Sequence, residues 1–160
     1  MARLFAPKFE IKKYHKNMGH EGEGFNVELW VDGVLTAYVI DEGCGGCPLY
    51  QWVDFDKMKV VQESIAAHPP KVYPKYGSDE EFSVKYDQDT FINDLVDEFL
   101  VARTFKRKCK KKTCYKLKSQ KAGSYYEMAA VFNAEVARKL REKWGDDLEV
   151  IYNEKFAEVK

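Results

Sequence analysis

No apolar run in the chain approaches the roughly 20 residues that a membrane-spanning helix needs, and the stretch from Met1 to Lys13 lacks the long apolar core of a secretory signal. The expectation is a cytoplasmic protein with no membrane partner. Cysteine stays reduced in that compartment, so the four cysteines present do not predict a disulfide framework. Histidine is scarcer still, at three. A hydroxyl or thiol nucleophile needs an adjacent base and an orienting acid, and neither His15, His20 nor His68 stands in a frame that supplies them. A small hydrolase or nuclease is therefore the third of three functional readings. Neither G-x-x-x-x-G-K-[ST] nor G-x-G-x-x-G occurs, so the sequence carries no nucleotide-cradle signature. Net charge is missing as well: 26 Lys and Arg balance 26 Asp and Glu, which leaves no global attraction to nucleic acid or acidic membrane.

What the chain does contain is globular. Apolar residues make up 45% and aromatics 14% of 160 residues, enough for one core and one domain spanning residues 1–160. The strongest local signal lies between Gly24 and Phe55. Two alternating, β-favouring runs flank Asp32-Gly33, a dipeptide suited to the positive φ angles of a two-residue type I′ hairpin. That turn predicts the pairs Val31 with Val34, Leu29 with Thr36, Val27 with Tyr38 and Phe25 with Ile40. The opposite face then holds Asn26, Glu28, Trp30, Leu35, Ala37 and Val39. After the second strand, Gly43, Gly45 and Gly46 surround Cys44 in a loop that reads as a tight exit from the sheet.

Elsewhere, Phe9 to Tyr14 alternates as a first strand and Pro48 to Val53 reads as a strand element. Asp54 caps a helix over 55–67, ended by Pro69-Pro70. Residues 68–88 form a long irregular connection rich in aromatics. A long helix follows, capped by Asp89 or Asp87, with Phe91, Leu95, Phe99, Ala102 and Phe105 along one stripe. Thr113 to Lys118 and Ser124 to Val131 make a second hairpin, and Asn133 caps a helix that stops at Gly145. Residues 146–156 read as a last short helix. The class is α+β: an antiparallel sheet of about five strands with two to four helices packed on one side.

Three groups of residues are candidates for function. Trp30 on the hairpin, with Tyr73 and Tyr76 in the aromatic connection, suits contact with a protein partner. From Arg103 to Lys121 there are ten basic residues and no acidic one. Of these, Lys110, Lys111, Lys112, Lys116 and Lys118, interleaved with Tyr115, Tyr125 and Tyr126, suit phosphate contact and base stacking. Part of that run also complements the C-terminal dipole of the long helix. Cys44-x-x-Cys47 and Cys109-x-x-x-x-Cys114 together suit a four-thiolate zinc site, the one cofactor the sequence admits. The first pair follows a strand and meets Pro48 instead of opening a helix, which argues against thiol redox chemistry.

The run Gly24-Phe25-Asn26-Val27-Glu28-Leu29 through Val31-Asp32-Gly33, then Asp41-Glu42-Gly43-Cys44-Gly45-Gly46 and Trp52, resembles a loosely defined group of small accessory proteins from phages and plasmids. The basic run Lys110-Lys111-Lys112-Thr113-Cys114-Tyr115-Lys116-Leu117 is similar to that group's approach to a strand. The resemblance implies a mobile-element protein, a non-enzymatic binder or inhibitor of a host component, with an anti-defence role within that range. Cys44 stands where the group has a polar residue such as His, and paired cysteines lie outside its pattern. A zinc-stabilised nucleic-acid-binding module is the alternative.

Overall fold

The computed structural model describes residues 6–77 and 79–156. Their contacts gather into two compact units, one up to Phe99 and one from Leu100 on. The class is α+β, with four α-helices and nine strands among the described residues. The strands divide among a four-stranded antiparallel sheet, a two-stranded sheet and a three-stranded sheet. No described helix is long and apolar enough to cross a membrane.

In the first unit, β1 (Phe9–Met18), β2 (Glu23–Val31), β3 (Val34–Asp41) and β4 (Leu49–Trp52) lie side by side in chain order. Asp32 and Gly33 take φ angles of 51° and 80°, as a type I′ turn requires. Val31 pairs with Val34, as the turn predicts. Past that pair the predicted register fails: Leu29 faces Ala37, Val27 faces Val39 and Phe25 faces Asp41, because β3 bulges at Thr36. The cause is local. Thr36 is fully buried, its hydroxyl donates to the Val34 carbonyl at 3.0 Å, and its own carbonyl accepts from the Val53 and Asp54 amides at 2.8 and 3.3 Å. A one-residue slip exchanges the faces of everything beyond it. Ala37 and Val39 join Val27, Leu29 and Val31 in the core, while Tyr38 and Ile40 turn to the opposite face.

The core face is covered by α1 (Phe55–Ala67) and the start of α2 (Gln88–Cys109), which bury Val60, Val61, Phe91, Ile92 and Val96. Each such apolar side chain contributes about 1.5–3 kcal/mol on burial. Asp54 caps α1 through the Lys57 amide at 2.8 Å, and Asp87 caps α2 through the Thr90 amide at 2.8 Å. The connection between these helices is not irregular. It contains β5 (Lys71–Pro74) and β6 (Glu81–Val84), paired antiparallel with Tyr73 opposite Phe82.

In the second unit, β7 (Thr113–Leu117) lies between β8 (Tyr126–Met128) and β9 (Leu148–Ile151). The helix α3 (Ala134–Trp144) is capped by Asn133 through the Val136 amide at 2.9 Å and stops at Gly145, whose φ is 48°. The segment expected as one final helix instead forms β9 and then α4 (Tyr152–Phe156). Alternation in Leu148-Glu149-Val150-Ile151 serves pairing with β7, where Lys116 meets Glu149 at 2.7 Å. Tyr115, Leu117, Ala137, Leu140 and Ile151 form the core of this unit. Buried Asn153 ties the turn after α2: its Nδ2 donates to the Cys109 and Lys112 carbonyls at 2.7 and 2.8 Å, and its Oδ1 accepts from the Cys114 amide at 2.8 Å.

Candidate functional site

Because α1 and α2 occupy one face of the four-stranded sheet, the other face is open. The register places Lys12, Glu28, Tyr38 and Gln51 in one row across all four strands, and His15, Asn26, Ile40 and Leu49 in the next. Trp30 lies beside Leu35 and Glu10. Such open faces usually run to polar residues. Here Tyr38 is 38% and Leu49 61% exposed.

The centre of this face is a locked set of charges. The strand β1 bulges between Lys12 and His15, with Lys13 at φ 50°, a conformation uncommon outside glycine. Lys13 meets the Glu28 Oε1 at 2.8 Å, and the Trp30 indole Nε1 donates to Oε2 at 2.9 Å. Lys12 Nζ lies 3.9 Å from the centre of the Trp30 ring, a cation–π contact. Glu28 is only 5% exposed. The hydrogen bond from Lys13, followed by that from Trp30, holds its carboxyl below the usual carboxylate range, and the same bond raises the Lys13 ammonium. Trp30 is thus fixed at its edge and over one ring face. A depression of about 390 Å³ at Glu28 is lined also by Lys13, His15, Asn26, Tyr38, Ile40 and Gln51, among others.

Toward the far end of the hairpin the surface continues into a polar hollow of about 690 Å³ that shares Asn26 and Ile40 and reaches His20 and Cys44. The glycine loops give this end its shape. A Cβ on Gly24 would run into the Asp41 carbonyl, and one on Gly19 into the carbonyls of Glu42 and Gly43. The loop after β1 and the loop after β3 therefore pack backbone to backbone, joined by the Glu21 amide donating to the Gly43 carbonyl at 3.0 Å. Asn17 adds bonds to Asn26 Oδ1 and the Asp41 carbonyl at 2.6 and 2.9 Å.

The remaining sequence candidates fall in separate places. Tyr73 is 41% exposed and Tyr76 lies fully open near the tip of the β5–β6 hairpin, which also exposes Val72, Phe82 and Val84. Lys110 and Lys111 are exposed in the turn after α2, and Lys118 follows β7. Lys112 and Lys116 are engaged, by Glu127 at 2.9 Å and Glu149 at 2.7 Å. All four cysteines are free thiols: Cys44 and Cys47 are exposed, Cys109 and Cys114 buried. Burial, then a hydrogen bond with Cys114, pushes the Cys109 thiol up to about 12. Among the described residues no three His, Cys, Asp or Glu side chains come together as metal ligands; of the candidate zinc ligands, Cys44 and Cys47 belong to the first unit and Cys109 and Cys114 to the second.

Sequence reasoning selected Trp30 and missed its partners. Glu28 between Val27 and Leu29 is a carboxylate inside an apolar strand, and that misfit was the available signal. The turn alone places Tyr38 on the face of Val27, because the Thr36 bulge that moves it beside Glu28 leaves no mark in the alternation. Comparison with protein-family models, with curated proteins and with solved structures finds no match to this chain.

Proposed function

We propose that this is a non-enzymatic binding protein whose open sheet face docks a protein partner. In this reading it is an inhibitory accessory factor of a phage or plasmid acting on a host component, including a component of host defence. The observation that carries the binding role is the open face itself, where Trp30, Tyr38, Ile40 and Leu49 stand among paired charges opposite the covered face. Aromatic anchors concentrate binding energy at protein interfaces. Trp30 is held in place before any partner arrives, so docking costs little additional side-chain entropy. The exposed β5–β6 hairpin offers a second apolar contact in the same unit. The mobile-element context rests on the resemblance of the Gly24–Gly46 and Lys110–Leu117 runs.

The test is quantitative affinity capture from host lysate with the wild type, a Trp30→Ala/Tyr38→Ala variant and a Tyr73→Ala/Tyr76→Ala variant. A discrete host protein retained by the wild type and reduced at least about thirtyfold with Trp30→Ala/Tyr38→Ala supports the reading, since an interface hot spot is worth about 2 kcal/mol or more. Equal recovery from every variant, or no retained protein, refutes it.

A further inference from the structure

The formal charge of zero conceals a division between the two units. From Leu100 on, the sequence holds sixteen Lys and Arg against eight Asp and Glu, a formal +8; up to Phe99 it holds ten against eighteen, a formal −8. Carboxylates within the second unit engage some of its cations. Glu127 meets Lys108 and Lys112, and these two bonds, that from Lys108 first, bring its carboxyl down to about 2. Glu149 meets Lys116. Lys106, Arg107, Lys110, Lys111, Lys118 and Lys121 are exposed and have no carboxylate partner among the described residues. The dipole of α2 accounts for Lys106 and Arg107 in its last turn. It does not reach Lys118 and Lys121, which lie beyond β7.

Both places that carry these cations are ordered by hydrogen bonds. The turn holding Lys110 and Lys111 is closed by the Lys111 amide to the Lys108 carbonyl at 3.0 Å and clamped by Asn153. The turn at Lys118 is fixed by Ser119, whose amide and hydroxyl donate to the Asp147 carboxylate at 3.1 and 2.7 Å. The strand β7 separates them by roughly 17 Å at about 3.3 Å per residue. That distance matches about five nucleotide steps at roughly 3.4 Å per step along one strand. Tyr126, 45% exposed and packed on Tyr115 with ring centres 5.5 Å apart, offers an aromatic surface beside them.

We infer that the second unit binds the phosphate backbone of nucleic acid through Lys110, Lys111, Lys118 and Lys121, with Lys106 and Arg107 adding to the local field. This binding is independent of the open sheet face and of any metal. An anionic membrane fits the same charges less well. Adsorption through an interfacial helix needs a free apolar side, and α3 already buries Ala137 and Leu140 in the core of its own unit.

The test is fluorescence anisotropy of the full chain with a short labelled single strand and the matching duplex across roughly 50–200 mM salt. Four phosphate contacts give a slope of log K against log salt of about −2.8 for the single strand and about −3.6 for the duplex, a loss of about fiftyfold and about 150-fold over that range. Lys110→Gln/Lys111→Gln/Lys118→Gln/Lys121→Gln abolishes most of that slope. The corresponding fourfold Arg variant keeps it, as does Lys112→Gln/Lys116→Gln, whose lysines already serve Glu127 and Glu149. Absence of binding to either oligonucleotide at about 50 mM salt, or an unchanged slope in the fourfold Gln variant, overturns the inference. So does co-sedimentation with phosphatidylserine vesicles by a chain that binds neither oligonucleotide.

Discussion

Replacing Asn153 with alanine removes one buried side chain and orphans three backbone groups at once. The Cys114 amide loses its acceptor at 2.8 Å, and the Cys109 and Lys112 carbonyls lose donors at 2.7 and 2.8 Å. Asn153 is 5% exposed, so water has little access to replace these bonds. Each orphaned buried polar group costs about 1–3 kcal/mol, and single substitutions seldom exceed about 4–5 kcal/mol. The expected loss is therefore about 3–5 kcal/mol. At roughly 2–4 °C per kcal/mol for a chain of this size, the unfolding transition falls by about 10 °C. Asn153→Asp keeps the acceptor for Cys114 but directs a charge at two carbonyl oxygens, so it is at least as damaging at neutral pH. Calorimetry gives the transition, and amide exchange at Cys114 reports the clamp directly. An Asn153→Ala transition within about 3 °C of the wild type, with Cys114 still protected, refutes the reasoning. The same clamp holds the turn carrying Lys110 and Lys111, so this substitution also weakens oligonucleotide binding without touching a lysine.

Gly24→Ala forces a Cβ into the Asp41 carbonyl, whereas Gly46→Ala meets nothing within 4 Å; urea midpoints are expected to fall markedly for the first and stay unchanged for the second. Glu28, held below the ordinary carboxylate range by Lys13 and then Trp30, adds stability above its unfolded pKa of about 4.3 that is lost as pH falls through the folded value. Glu28→Gln is thus less stable than the wild type at pH 7, and urea titrations at stepwise lower pH show the gap closing below about pH 4.3. Native alkylation followed by peptide mapping is expected to label the exposed Cys44 rapidly, Cys47 more slowly because its hydrogen bond with Asp89 raises the thiol, and to spare Cys109 and Cys114 until the chain is unfolded, because burial of Cys109 suppresses its thiolate.

Local chemistry was legible wherever it depends on a few adjacent residues. Asp32-Gly33 specifies its turn, Asp54 and Asn133 specify their caps, and Gly145 specifies a stop, since each effect acts within one turn of chain. The Thr36 bulge was not legible, because it arises from backbone bonds to Val53 and Asp54, residues distant in sequence. That single extra residue moved Tyr38 onto the candidate surface and Ala37 and Val39 into the core. The 71–84 hairpin was hidden for a different reason: its strands expose apolar residues on both faces, so no clean alternation marks them. At the candidate site, Trp30 stood out by size alone, while Glu28 and Lys13 became meaningful only through the bulge that brings β1 over β2. The balanced total charge likewise concealed two units of opposite sign, since only the contacts locate the boundary at residues 99–100.

The most direct test of partner docking on the sheet is hydroxyl-radical footprinting of the captured complex, read by side-chain oxidation at Trp30, Tyr38 and Leu49. Oxidation at these three positions is expected to fall on partner binding while Val131, 60% exposed in the second unit, reacts as before. Unchanged oxidation at Trp30, Tyr38 and Leu49 in a saturated complex would contradict docking on the open face.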